Sequence, residues 1–210
     1  MNKRRNFLLT CVAIIALTAS GCGYNTLQSK QQNVKAKWGD VENQLQRRAD
    51  LIPNLVAAAQ SAGVQEQEVF GQIAQARSQL LNATKAQPQG DNGDMTPEQK
   101  QAVIDANNTF GGTIGRLLSL QESYPQLRSS ENFLKLQDEL TGTENRIAVS
   151  RSDYNAAVQD YNTTRGSFPT VIGAKIYGFK EEPYFKADDR AQQAPTIDPN
   201  ALRRNQSNTK

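Results

Sequence analysis

Few residues of this sequence are equipped for catalysis, because its 210 residues include no histidine. This excludes imidazole general bases, Ser–His and Cys–His nucleophile pairs, and every His-ligated metal site. The two cysteines, Cys11 and Cys22, are too few for a zinc site or a disulfide framework. We therefore expect no catalytic residue, no cofactor and no resident metal.

The remaining candidates for acid–base work are two pairs of nearby carboxylates, Glu66 with Glu68 and Glu181 with Glu182. Pairs of this kind are usually solvated surface, and we interpret them so. The glycine-rich run 111–116 lacks the Lys-Ser/Thr of a phosphate-binding loop, so we interpret it as a place where helices pack closely. A carboxylate-based enzyme stays only as a remote alternative.

Charged side chains also fall on positions where the pattern otherwise has apolar residues. The candidates for a structural polar layer or an interaction surface are Arg47, Arg48, Asp50, Asn54, Glu144 and Arg151. Arg48 lies on the seam of the first predicted helix, and Glu144 and Arg151 lie on the seam of the last. We favour a polar layer that fixes helix register, with an ion pair or a shared hydrogen-bond network between Arg48 and Glu144. The alternative is that the cluster around Arg47 docks an acidic partner.

Helical periodicity accounts for the body of the chain, without strand-like alternation of useful length. The first helix is predicted over about 24–61, with seam residues spaced alternately by four and three: Val34, Trp38, Val41, Leu45, Arg48, Ile52, Leu55 and Ala59. Pro53 predicts a kink within it. Further helices are predicted over about 64–85, from a Thr96-Pro97 start to Tyr124, and from a Ser129-Ser130 cap to about Arg165.

These elements predict an all-α fold, a long antiparallel four-helix bundle of up-down-up-down topology with a coiled-coil seam. The first and last helices are then antiparallel neighbours, and residues at one level have numbers that add up to about 190. The aromatic segment 168–185 is expected to pack on the end of the bundle near Cys22. Capping of the apolar end is favoured for most of its side chains, and contact with lipid is the alternative.

The first 22 residues have the three parts of a secretory signal, namely a basic start, the apolar stretch 7–19 and small residues before Cys22. A membrane-spanning helix needs about 20 apolar residues, so cleavage is favoured over the alternative of an uncleaved anchor. The residues before Cys22 resemble a bacterial lipobox and predict a lipid anchor on Cys22. Gly23 after it favours the outer membrane, facing the periplasm, if the cell has two membranes.

Removing residues 1–21 takes away three of the 24 basic side chains and none of the 21 acidic ones, which leaves a neutral mature domain. A neutral domain argues against binding nucleic acid by neutralising phosphates. The expected partners are the membrane, through the anchor, and another envelope or membrane protein. We expect neither nucleic acid nor a small-molecule substrate to be bound.

The run 44–56, Gln-Leu-Gln-Arg-Arg-Ala-Asp-Leu-Ile-Pro-Asn-Leu-Val, resembles the LemA family. Matching blocks follow in order at 143–148, at Tyr154-Asn155, at Tyr161-Asn162 and at 174–179. The resemblance covers about residues 24–186 and implies an all-helical bundle attached to a bacterial membrane, without an established catalytic activity. Many family members have an N-terminal transmembrane helix where this chain has its lipobox-like cysteine.

The sequence thus predicts a lipoprotein signal peptide over residues 1–21, a helical bundle domain over 22–185 and a disordered polar tail over 186–210. The function that fits is a non-catalytic helical scaffold or adaptor for another protein of the bacterial envelope. The alternative is a module that binds membrane lipid or cell-wall polymer directly.

Overall fold

The structure is a computed structural model that describes the backbone of residues 2–90 and 94–185 and the side chains of residues 23–90 and 94–185. The side chain of Cys22, part of the predicted loop before Thr96 and the predicted tail over 186–210 lie outside these residues. The described chain is all-helical, as predicted. Its helices are α1 (Asn2–Ser61), α2 (Gln67–Thr84), α3 (Pro97–Ser123), α4 (Pro125–Ser129), α5 (Glu131–Gly166) and α6 (Thr170–Ile176).

Helix α1 carries the predicted seam. All eight seam residues from Val34 to Ala59 are buried, and the helix continues through Pro53 to Ser61. The helical backbone begins at Asn2, which is earlier than the start predicted near Tyr24. A turn with Gly63 at a φ of 87° then reverses the chain toward α2, a conformation that glycine adopts without steric cost.

Side-chain caps fix the starts of α3 and α5. The Thr96 hydroxyl accepts a hydrogen bond from the Gln99 amide, and the Gln99 side chain accepts one from the Thr96 amide, which is the predicted capping box. The Ser130 hydroxyl caps α5 in the same way, through the Phe133 amide. The five-residue helix α4 lies between them and was not predicted, because the dipeptide Tyr124-Pro125 by itself indicates only the end of a helix.

Helices α1 and α5 pack against each other in antiparallel register along their length. Lys30 pairs with Asp160, and Lys37 pairs with Asp153, so the numbers add up to 190 at both levels. Helices α2 and α3 form a second closely packed pair. Arg77 of α2 joins the two pairs, because its Nε donates a 2.7 Å hydrogen bond to the Ala49 carbonyl of α1.

The chain after α5 follows a path different from the predicted one. Helix α6 packs against the part of α1 around Tyr24, where the Tyr177 ring lies 4.9 Å from the Tyr24 ring. Residues 178–185, here called the C-terminal segment, then run back along α5 as far as Phe185, whose ring lies 6.4 Å from that of Trp38. The prediction that all of 168–185 packs on the end near Cys22 is therefore wrong for Phe185.

Candidate functional site

Arg48 is the most deeply buried arginine of the predicted polar layer, with an exposed fraction of 6%. Its Nη1 donates to Asn107 Oδ1 of α3 at 3.1 Å, and its Nη2 lies 3.1 Å from Glu144 Oε2 of α5. Its guanidinium also lies 5.6 Å from the centre of the Phe110 ring. Arg48 therefore joins three helices, and the ion pair expected with Glu144 is present.

Arg151 completes this group from α5. Its guanidinium lies 4.4 Å from the centre of the Phe185 ring, so it covers the last described residue of the C-terminal segment. Burial lowers the pKa of both Arg48 and Arg151, and the Glu144 carboxylate opposes the shift at each. The Glu144 carboxylate pairs with Arg48 and acts on Arg151 through its charge, and both guanidiniums stay charged because an arginine is not deprotonated in a protein.

The other candidate residues of this layer lie on its outside. Arg47 is exposed and lies 3.4 Å from Glu139 Oε1. Asp50 accepts a 2.9 Å hydrogen bond from Gln46 and pairs with Arg77 at 3.5 Å. Asn54 is exposed. The structure thus brings Arg48, Glu144 and Arg151 together and leaves Arg47, Asp50 and Asn54 on the surface.

A second polar group holds the C-terminal segment, a role that was not predicted from the sequence. Tyr161 and Tyr154 donate hydrogen bonds of 2.8 Å to the carbonyls of Lys180 and Pro183. The side-chain amide of Asn162 donates a hydrogen bond to the Glu182 carbonyl and accepts one from the Glu182 backbone amide. Asn155 makes the same two hydrogen bonds with the backbone of Phe185. The signal was the Tyr-Asn pair repeated at a spacing of seven, which places both pairs on one face of α5.

Lys100 of α3 and Glu182 complete this group with a buried ion pair. Lys100 Nζ lies 2.6 Å from Glu182 Oε2, with the side chains only 5% and 9% exposed. Lys100 also lies 5.9 Å from the centre of the Trp38 ring. The interpretation of Glu182 as solvated surface is therefore wrong, because α3 supplies a cation to it. A detectable signal was that Lys100 and Asn107 lie at helical spacing with the apolar residues of α3.

The glycine-rich run on α3 only partly matches its interpretation as a close-packing site. A Cβ on Gly111 would meet Arg48 Nη2 at 3.4 Å, whereas one on Gly112 or Gly115 would meet nothing within 4 Å. Gly112 instead lines an open groove of about 650 Å³ between α2 and α3. The rest of that groove is lined by Ala76, by amide and hydroxyl side chains and by one arginine: Gln72, Gln75, Gln79, Asn108, Thr109, Thr113 and Arg116.

The described residues contain no cluster of His, Cys, Asp or Glu side chains arranged to hold a metal ion. Within the same part of the chain, no helix has both the length and the hydropathy needed to cross a membrane. The two polar groups instead connect helices to one another and to the C-terminal segment. They define an all-helical protein whose buried charges are engaged in internal contacts.

Comparison with known proteins assigns this architecture to a family. The family model described as "LemA family" matches residues 37–198, about three quarters of the chain, so the chain belongs to the LemA family. Magnetosome proteins MamQ 1 and MamQ 2 of Paramagnetospirillum magneticum are each 30% identical to it over 204 residues, which cover 91% of this chain and 74% of each relative. Magnetosome protein MamQ of Magnetospirillum gryphiswaldense is 28% identical over 188 residues, which cover 84% of this chain and 69% of that protein.

Proposed function

We propose that this LemA-family protein is a lipid-anchored, non-catalytic scaffold of the bacterial envelope that holds another envelope or membrane protein. The observation that carries the proposal is that the buried charged groups are engaged in internal contacts. Arg48, Arg151 and Lys100 each bind across helices or onto the C-terminal segment. Partnered charges in a helical core fix register and rigidity, which a scaffold requires.

The proposed scaffold is an up-down-up-down four-helix bundle of α1, α2, α3 and α5. From Gly23 to Ser61, α1 extends about 57 Å at 1.5 Å per residue. In an upright bundle anchored at Cys22, the turn at Gly63 and the short helix α4 therefore lie far from the membrane. That distal end and the groove between α2 and α3 are the surfaces where we expect the partner.

The proposed anchor is a diacylated Cys22, exposed when the signal peptide of residues 1–21 is removed. Its support is the basic start, the short apolar stretch and the small residues that precede Cys22. Two or more acyl chains give stable membrane attachment. In a cell with two membranes, Gly23 favours the periplasmic face of the outer membrane. The similarity to proteins named for magnetosomes supports an envelope or membrane-compartment role without naming a partner here.

The test is photo-crosslinking in intact cells from three exposed positions, one at a time: Gln126 at the distal end, Gln75 in the groove and Ser152 on α5 as the matched control. We expect one discrete protein adduct from Gln126 or Gln75, none from Ser152, and loss of the adduct when Cys22→Ala releases the protein. Adducts to lipid or wall polymer alone, from all three positions, would overturn the scaffold proposal in favour of direct lipid or polymer binding.

A further inference from the structure

The largest group of exposed apolar side chains in the described structure lies around α6. We call it the apolar end surface, and it consists of Tyr24, Phe168, Ile172, Ile176 and Tyr177, with exposed fractions of 38, 82, 54, 72 and 52%. The other large apolar side chains with comparable exposure, among the described residues, are Leu134, Val149 and Tyr184. Single exposed apolar residues are ordinary, but a group of five on one end marks an interaction surface.

The spacing of these residues explains why they point away from the bundle. Phe168, Ile172 and Ile176 follow one another at intervals of four, which places the two isoleucines on one face of α6. Ala174 lies on the other face and is buried against the core. The small side chain of Ala174 lets α6 lie close to the bundle, while Ile172 and Ile176 stay exposed.

This surface directly adjoins the proposed anchor. A Cβ on Gly23, the residue after Cys22, would lie 3.7 Å from the Thr170 side chain of α6. One residue further on, the Tyr24 ring contacts the Tyr177 ring edge-on at 4.9 Å and lies 5.7 Å from the Phe179 ring. Whatever membrane holds Cys22 therefore lies beside α6.

The charges around α6 have the sign that suits a bilayer surface. Between Asp160 and Glu181 the sequence contains three basic residues and no acidic one. Two of them, Lys175 and Lys180, are exposed. Lysines of this kind reach the phosphates of anionic headgroups, and tyrosine rings favour the boundary between headgroups and acyl chains.

We infer that the apolar end surface inserts into the headgroup boundary of the membrane that carries the anchor, so that the bundle touches the bilayer through α6 as well as through Cys22. This inference rests on the proposed anchoring. Insertion would also remove the exposed isoleucines from water, as packing does for the residues of the core. Insertion at α6 would fix the bundle in a defined orientation on the membrane.

Nitroxide labels measure insertion depth directly. The full-length protein is purified from the membranes of cells that produce it and is reconstituted into phosphatidylcholine vesicles containing phosphatidylglycerol. Single labels are placed at Ile172 and Ile176 and, as matched exposed apolar controls, at Val149 and Leu134. We expect collision with oxygen to exceed collision with a water-soluble nickel complex at 172 and 176, and the opposite at 149 and 134. Parent protein without an added cysteine gives the background labelling.

Flotation of the same vesicles separates the two claims. If the protein floats but the labels at 172 and 176 are as accessible to nickel as the label at 149, the insertion inference is wrong and the proposed anchored scaffold is unaffected. Labels at 172 and 176 that are shielded equally in vesicles and in detergent indicate burial against protein, and they also overturn it. Protein that does not float contradicts the anchor and, with it, this inference. A photoreactive phospholipid that labels α6 but spares α4 would be independent support.

Discussion

Lys100 and Glu182 form an ion pair that is almost fully buried, although 82 residues separate them in the sequence. The pair connects the first turns of α3 to the C-terminal segment, and Lys100 lies over the ring of Trp38 on α1. Burying two charges is unfavourable unless each has its partner. The pair therefore couples the position of the C-terminal segment to the packing of α1 and α3.

Removing one member of this pair is expected to destabilise the fold strongly. Lys100→Met or Glu182→Leu should each lower the free energy of unfolding by about 3–5 kcal/mol, because each leaves one buried partner uncompensated. The double variant Lys100→Met/Glu182→Leu should recover most of that loss. Urea unfolding measures both, with Lys30→Met at the exposed pair with Asp160 as a control whose cost stays below about 1 kcal/mol. Additive single effects would contradict the coupling.

A charge swap tests the layer around Arg48. Arg48→Glu should destabilise, because the new carboxylate would lie among Glu144 and the apolar seam of α1. Adding Glu144→Arg should recover part of the loss but not all of it, since Arg151 lies near the same position and repels the new arginine. Thermal unfolding of the four proteins gives the coupling energy. A coupling energy of zero would show that the pair does not fix the α1–α5 register.

The hydrogen bond from Tyr161 predicts a loss of stability at high pH. Burial and the charge of Glu182 raise the pKa of Tyr161 to about 12 from an ordinary value of 10.0. The stabilising contribution is therefore complete below pH 10 and is lost as the pH rises toward 12, when the phenolate can no longer donate to Lys180. Tyr161→Phe should cost about 1 kcal/mol at neutral pH. The difference in unfolding free energy between the two proteins should shrink above pH 10, and a constant difference would count against this.

Glu42 predicts a stabilising substitution. Burial raises its pKa, against the opposing effects of a 2.8 Å hydrogen bond from Trp38 Nε1 and the nearby Lys100 charge. A raised pKa means that the folded state binds the proton of Glu42 more tightly than the unfolded state does, so charging Glu42 costs stability as the pH rises past its ordinary value of 4.5. Glu42→Gln should therefore raise the free energy of unfolding at neutral pH, and the gain should fade on acidification. A loss of stability at neutral pH would mean that the Lys100 attraction dominates.

The elements that the sequence predicted well are those specified by local spacing. The alternation of four and three from Val34 to Ala59 identified the buried face of α1, and Thr96-Pro97 identified the start of α3. The register of α1 with α5 followed from the predicted helix ends and the antiparallel topology, and it places Arg48 beside Glu144 as expected. Each of these depends on neighbours within one or two turns, or on a simple topology.

The path of the C-terminal segment depends instead on contacts between distant residues. Glu182 is buried only because Lys100 faces it, and nothing in the adjacent Glu181-Glu182 pair distinguishes the two. The segment is held by side-chain amides that bind its backbone, so the sequence of the segment itself says little about the path that it follows. The Tyr-Asn repeat on α5 was visible in the sequence, but its role requires knowing which backbone lies opposite.

The mass of the mature protein is the most direct test of membrane anchoring, on which the proposed function rests. We predict that protein extracted from cell membranes consists of residues 22–210 with a diacylglyceryl group on Cys22, with or without a further acyl chain on its amino terminus. We also predict that Cys22→Ala abolishes acyl labelling and membrane retention. Intact-protein mass spectrometry with sequencing of the N-terminal peptide measures this. A membrane-bound protein of residues 1–210 with an unmodified Cys22 would contradict the account.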